Sequence, residues 1–177
     1  GAPSFAVVRL GPRLPLAGHA DMRLVGEAVH GFMAADRPSA SGTWREALAR
    51  RLLAAWEVSA LDPGDLLRAA DRFWAHLARE YPDGIHRREW PLARFADGQL
   101  THGRADLVVE HAGGLALYDH KTFPGGEDRW TGELQSYAPQ LDAYAGLLRQ
   151  ATGRSVTRQA VHLAIAGVVL LPEGTAG

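Results

Sequence analysis

The chain carries eighteen arginines and a single lysine, Lys121, set in Asp119-His120-Lys121-Thr122. Arginine is a planar, permanently charged fork. Lysine puts one compact charge on a flexible stem and can aim it at a single water or phosphate oxygen. Thirteen residues before Asp119 stands Asp106, in Gly103-Arg104-Ala105-Asp106. The pattern G-x-x-D…D-x-K therefore offers two carboxylates and one ammonium. Carboxylates that converge repel unless a proton or cation joins them, and their hard oxygens suit Mg²⁺ or Mn²⁺. A divalent ion with an ammonium beside it is equipped for phosphodiester hydrolysis. The spacing alone fits an exposed Asp–Lys cross-strand pair equally well.

Whether these groups meet depends on the elements that carry them. Residues 104–110 and 115–122 read as strands, and Gly113-Gly114 predicts a two-residue hairpin turn between them. That register sets Val108 opposite Asp119 and Asp106 opposite Lys121, with directly paired Cβ atoms about 5 Å apart. Strand alternation then places Asp106, Asp119 and Lys121 on one face. A one-residue change in the turn would send Asp106 to the other face. Residues 131–150 are predicted helical, which brings Gln140 and Tyr144, at i and i+4, onto one side. An amphipathic helix with Tyr137, Leu141, Tyr144 and Leu148 in the core accounts for Leu141 and Leu148 but not for Gln140.

Upstream, residues 1–19 read as an extended lead-in and 20–35 as an amphipathic helix. Thr43-Trp44-Arg45-Glu46 has the form of a capping box, and Asp62-Pro63 that of an N-cap followed by proline at the first helical position. Residues 86–95 read as a strand whose Pro91 suits an edge, and 159–171 as a last apolar strand. The order α-α-α-β-β-β-α-β is that of a mixed α/β domain. It divides into a mostly helical part, 1–82, which holds His30, and a β-β-β-α-β core, 83–177, within one domain spanning 1–177.

Bulk properties narrow the class further. With 46% apolar and 22% charged residues the chain has a globular composition, and no apolar run reaches the roughly 18 residues of a membrane span. The absence of cysteine excludes disulfides, cysteine zinc sites and iron–sulfur clusters. It also suits a cytoplasmic setting. A net charge of −1 is not that of a generally basic nucleic-acid surface, so either the positive charge is local or the substrate is delivered. The first residue is Gly rather than Met, which suggests a piece excised from a larger protein.

Gly103-x-x-Asp106, Asp119-x-Lys121-Thr122 and Gln140-x-x-x-Tyr144 resemble, in order, motifs of the RecB-type branch of the PD-(D/E)XK nucleases. Those domains sit at the C-termini of UvrD/Rep-like helicase–nucleases such as RecB, AddA and AdnA. Gly26 to His30 resembles the family's G-x-x-x-H helix, and Arg88-Glu89-Trp90-Pro91-Leu92 its R-E-x-P-F strand. The likeness spans roughly residues 24–150. It implies a restriction-endonuclease-like fold, a mixed central sheet flanked by helices with an N-terminal helical segment. It also implies Mg²⁺ (or Mn²⁺) held by His30, Asp106, Asp119 and the main-chain carbonyl of His120. Lys121 would position or activate the attacking water, and Gln140 and Tyr144 would support the site and contact DNA. The implied partners are DNA, single-stranded or as duplex ends, and tethered helicase domains, in an exonuclease module for double-strand break repair. His120 stands where Tyr or Phe is usual, and the cysteine clamp of the iron–sulfur branches is absent. A nuclease fold that has lost catalysis and only binds DNA or a helicase partner is the rival reading.

Other residues carry less. His19, His76, His86, His102, His111 and His162 lack metal-ligand spacing. Glu89 suits either an outer carboxylate near the site or a plain strand position. Arg45, Arg50, Arg51, Arg87, Arg88 and Arg94 fit a phosphate-binding groove or a solvated face.

Overall fold

The structure is a computed structural model that describes residues 4–173. The elements in chain order are β1 (Phe5–Arg9), α1 (Met22–Ala35), α2 (Gly42–Ala55), α3 (Pro63–Glu80), β2 (Ile85–Ala96), β3 (Gln99–His111), β4 (Gly114–Lys121), a 3₁₀ turn (Glu127–Arg129), α4 (Trp130–Thr152), β5 (Val156–Leu163) and β6 (Val168–Pro172). Among the described residues six strands form one sheet in the order β1-β6-β5-β4-β3-β2. All neighbours are antiparallel except β4 and β5. A parallel pair cannot be closed by a tight turn and needs a crossover, which α4 supplies.

Helices α1–α3 bury Val29, Phe32, Leu66, Phe73 and Leu77 against Leu107, Val109, Ala116 and Tyr118 on one face of the sheet. On the other face α4 sets Leu134, Leu141, Ala145 and Leu148 against Val108, Leu115, Leu117 and Val161. Alternate residues of β3 and β4 thus feed two cores, which is why the runs Leu107–Val109 and Leu115–Tyr118 are apolar at every position.

Helices α1–α3 start at short polar caps. Asp62 Oδ1 accepts from the amides of Gly64 and Asp65 at the head of α3, as its sequence suggests. At α2 the cap is Ser41, whose Oγ accepts from Trp44 N at 3.2 Å. Thr43 is not the cap, since it already lies inside the helix, and Glu46 pairs with Arg50 four residues on instead of reaching back. A serine two residues earlier offers the same acceptor, so the start shifts by two positions and the expected capping box does not form.

Two further expectations are corrected at the far edge of the sheet. The lead-in contains β1, paired with β6 from Phe5↔Pro172 to Arg9↔Val168. The last apolar run is two strands, β5 and β6, folded back at a turn that ends in Gly167. There φ is +73° and an added Cβ would lie 2.5 Å from the Gly11 carbonyl oxygen, so the position needs glycine.

The helical part is tied to the sheet by a buried polar clasp. Asp36, with no exposed surface, accepts from Arg45 Nε and Nη2, each at 2.8 Å, and from Trp74 Nε1 at 2.9 Å. The Arg88 guanidinium lies 4.5 Å from the Trp74 ring centre and donates to the Asp36 carbonyl. Arg45 and Arg88 are therefore structural and do not line a groove for phosphates. Arg50 and Arg87 pair with Glu46 and Glu110. Arg51 and Arg94 are exposed.

Candidate metal centre

The turn between β3 and β4 is Ala112-Gly113, with His111 opposite Gly114, so the hairpin register differs by two residues from the one the Gly-Gly pair suggested. A shift of two preserves the face each side chain occupies. Pairing runs to Leu107↔Tyr118, and its next step sets Asp106 against Asp119, where β3 parts from the shorter β4. Lys121 therefore does not stand opposite Asp106.

On its other side Asp106 faces Glu89. The β2–β3 pairing passes from Arg88↔Leu107 to Trp90↔Ala105 without a Glu89 pair, and Glu89 has φ +52°. A non-glycine residue in this region costs about 1–2 kcal/mol. The distortion has a consequence for packing. Ala105 joins the α4-side core while Leu107 joins the α1–α3 core, although residues two apart normally share a face. The strand has turned over at Asp106, which leaves this carboxylate between the two layers.

From the α1 side, His30 Nε2 meets Asp106 Oδ2 at 3.0 Å, and its Nδ1 lies 3.0 Å from the Gly26 carbonyl one turn earlier. With Nδ1–H donating to that carbonyl, Nε2 is the nitrogen turned to the carboxylates. Gly26 lets α1 approach the end of β4, because an added Cβ would sit 3.1 Å from Thr122 Oγ1. The amide of His120 also donates to Asp106 Oδ2, at 2.8 Å. Asp119 arrives from β4, and ligand atoms of His30, Asp106 and Asp119 all lie within 4.8 Å of one another.

Electrostatics within this cluster is unbalanced. Burial opposes a charge on His30, but the hydrogen bond and charge of Asp106, helped by the Gly26 carbonyl and Asp119, outweigh it and raise the pKa to about 9. Burial likewise works against an ionised Asp106, yet His30 and further hydrogen bonding hold it well below the usual carboxylate range. Asp119, buried and beside the charged Asp106, is pushed up to about 7 despite Lys121. Asp119 Oδ2 is buried with no hydrogen-bond donor, although Lys121 Nζ stands 3.1 Å from it as an ion pair outside donor geometry. Glu89 is raised too, by burial and then by Asp106. A lone buried carboxylate oxygen costs several kcal/mol unless something neutralises it. One imidazole nitrogen and two carboxylates, one of them with an orphaned oxygen, fit a hard divalent cation completed by water or phosphate.

Lys121 is steadied from α4. Its Nζ donates to Gln140 Oε1 at 3.4 Å, Gln140 Nε2 donates to Tyr144 Oη at 3.2 Å, and Nζ lies 5.0 Å from the centre of the Tyr137 ring. Tyr144 in turn covers Gly103, where a Cβ would stand 3.2 Å from its hydroxyl. The i,i+4 pair of α4 and the first glycine of G-x-x-D thus belong to one contact chain that ends on the ammonium. Tyr137, expected in the core, is half-buried and donates to Glu133 at 2.5 Å.

The His120 side chain points away from the carboxylates. Its Nδ1 is 2.8 Å from His162 Nδ1 and its ring is edge-on to Phe73, which stacks on His162. Burial lowers His120 to about 4 and His162 well below the ordinary value. Both are therefore neutral near pH 7, one donating and the other accepting. His76 is buried as well, 3.2 Å from Tyr118 Oη. These histidines are core residues, and only the main chain of His120 adjoins the centre.

No curated protein matches the chain significantly in sequence. The family model of the PD-(D/E)XK nuclease superfamily matches residues 6–172, nearly the whole described chain. With that match and a mixed sheet flanked by helices that sets a His-Asp-Asp cluster beside a lysine, the chain belongs to the PD-(D/E)XK nuclease superfamily, whose members use divalent metal ions.

Proposed function

We propose that the chain is a Mg²⁺- or Mn²⁺-dependent deoxyribonuclease of the RecB type, working as the exonuclease module of a UvrD/Rep-like helicase–nuclease in double-strand break repair. The observation that carries the nuclease reading is the convergence of His30, Asp106 and Asp119 around an unsatisfied Asp119 oxygen, with the chain's one lysine against it. His30 Nε2, Asp106, Asp119 and the His120 carbonyl are the groups that would hold the ion. When bound, a divalent ion lowers the pKa of a water, neutralises the scissile phosphate and stabilises the leaving oxygen.

The chain's own residues do the rest. Lys121 directs a movable positive charge at the attacking water. Gln140, anchored by Tyr144, keeps that ammonium from collapsing fully onto Asp119. The amide of His120 holds the Asp106 carboxylate in one orientation. A role limited to binding has no need of the lysine together with all three side-chain ligands, which favours catalysis over an inactive nuclease fold. The helicase-linked role is supported by the five RecB-like motifs in order and by the net charge of −1. A tethered motor raises the effective DNA concentration at a site whose own field recruits DNA poorly.

The test is cleavage of end-labelled single-stranded and duplex DNA by the isolated chain and by a fusion to its helicase. Mg²⁺ or Mn²⁺ should support cleavage and Ca²⁺ should not, and fusion should raise the rate at low DNA concentration. Cleavage that persists in excess EDTA would sink the mechanism. Tight, salt-insensitive binding by the isolated chain would count against the tethered role.

A further inference from the structure

We propose that the hairpin of β2 and β3 extends past the metal centre as an arm that stacks an unpaired base of the substrate strand on Phe95. This rests on the nuclease reading above. β3 runs for 13 residues and β4 for only 8, so beyond Asp106 the arm pairs only with itself, from Pro91↔Arg104 to Ala96↔Gln99. Its turn is Asp97-Gly98, with φ +52° and +74°. Two positive values in a two-residue loop match the hand of the strand twist and make a tight end.

The two faces of the arm differ. Leu92 is buried in the α4-side core, and its partner Gly103 lies under Tyr144. By alternation the opposite face presents the pairs Pro91/Arg104, Ala93/His102 and Phe95/Leu100, and all six residues are exposed. Phe95 is 76% exposed and Leu100 56%, the two most exposed large apolar side chains among the described residues.

What this face fits follows from its composition and position. An aromatic ring beside Leu100, followed toward Asp106 by His102 and Arg104, alternates a stacking surface with groups that meet phosphate. That is the chemistry by which single strands are held without sequence preference. Asp97 at the turn is the one acidic residue between Pro91 and Arg104, and Arg104 puts a permanent positive charge on this face. The face also leads straight into the site. Leu100 is six residues from Asp106 on one strand, about 20 Å at 3.3 Å per residue. A strand whose phosphate reaches the carboxylates can run along it. A duplex offers no free base to Phe95, so the arm favours single strands or frayed ends.

The experiment compares the wild-type chain with Phe95→Ala, Phe95→Leu and Phe95→Trp. Binding of a 20-nucleotide single strand containing 2-aminopurine is titrated in Ca²⁺, and hydrolysis of bis(p-nitrophenyl) phosphate is followed in Mn²⁺. That diester is too small to reach from the centre to the arm. Ala and Leu should weaken the strand about 5- to 100-fold, Trp should retain affinity and quench the reporter, and all three should hydrolyse the diester at the wild-type rate. Unchanged affinity of Phe95→Ala would overturn the inference. So would full affinity of Phe95→Leu, since a protein surface accepts Leu where a base needs a ring. A wild-type dimer in sedimentation that Phe95→Ala dissolves would assign the face to a second copy, which also overturns it. A wild-type chain that cleaves neither DNA nor the diester would refute the nuclease reading instead, and the titration would still read the arm.

Discussion

Metal binding at the proposed centre would have to displace protons. Ligands must be deprotonated to bind, yet in the metal-free protein His30 titrates at about 9 and Asp119 at about 7. At pH 6 both are largely protonated, so an entering ion should release close to two protons; at pH 8 it should release about one, mostly from His30. Apparent affinity should rise by roughly tenfold or more per pH unit, more steeply from pH 6 to 7 than from pH 7 to 8, by the same linkage. Titration calorimetry with Mn²⁺ in buffers of different ionisation enthalpy counts these protons directly. His30→Ala should remove about one proton at every pH in this range. Tight metal binding at pH 6 with no proton release would show that the ion sits elsewhere. The metal-free protein carries the same signs. Asp119 and His30 both have raised folded pKa values, so each contributes stability at low pH. That stability is lost as pH rises through about 7 for Asp119 and about 9 for His30. In EDTA, Tm should fall over this window, and the increment gained from metal should grow.

Three further outcomes follow from contacts already described. Lys121→Ala should lower kcat by 10²-fold or more, on the order of 3 kcal/mol of transition-state stabilisation, with metal titrations close to wild type; Lys121→Arg should not rescue it, since the fork cannot place one compact charge between Asp119 and Gln140. An Arg variant at wild-type rate would refute the role given to the lysine. Gly103→Ala should push Tyr144 by a few tenths of an ångström, break a Gln140 contact that is already long, and cost about 1 kcal/mol, or 5- to 10-fold in kcat, with Mn²⁺ affinity unchanged. Loss of metal affinity instead would place the damage at Asp106. Arg45→Met should cost about 3–5 kcal/mol in urea unfolding, because it leaves the fully buried Asp36 with Trp74 Nε1 but without its cation. A loss below 1 kcal/mol would show that the clasp is not what fixes the helical part to the sheet.

The elements that sequence resolves here are those with a strong local cause. Asp62-Pro63 starts α3 because the carboxylate satisfies free amides within its own turn, and the apolar period carries α1 and α3 through. β1 escaped because five residues gain their structure only by pairing with β6, more than 150 positions away. The fold between β5 and β6 escaped because Gly167 is called for by the Gly11 carbonyl, again a distant neighbour. In the arm, Asp97-Gly98 is a strong hairpin signal that could have shown where β2 turns into β3, and with it the exposed Phe95/Leu100 pair.

The clustering of the proposed ligands was legible for a different reason. The turn assigned to Gly113-Gly114 lies at Ala112-Gly113, and the register moved with it, yet Asp106, Asp119 and Lys121 remained on shared ground because side chains repeat every two residues and the error was two. Periodicity tolerates that error and would not have tolerated half of it. It could not show that β3 turns over at Asp106. That depends on Glu89, a strand residue held at φ +52° with no glycine to announce it. Without the turnover, Asp106 would stay in the α4 layer with Ala105 on the helical side, and His30 could not reach its carboxylate from α1. Local strain at Glu89 is thus the price of bringing the proposed ligands of both layers together, and glycine at that position should relax the strain while loosening the carboxylate's orientation.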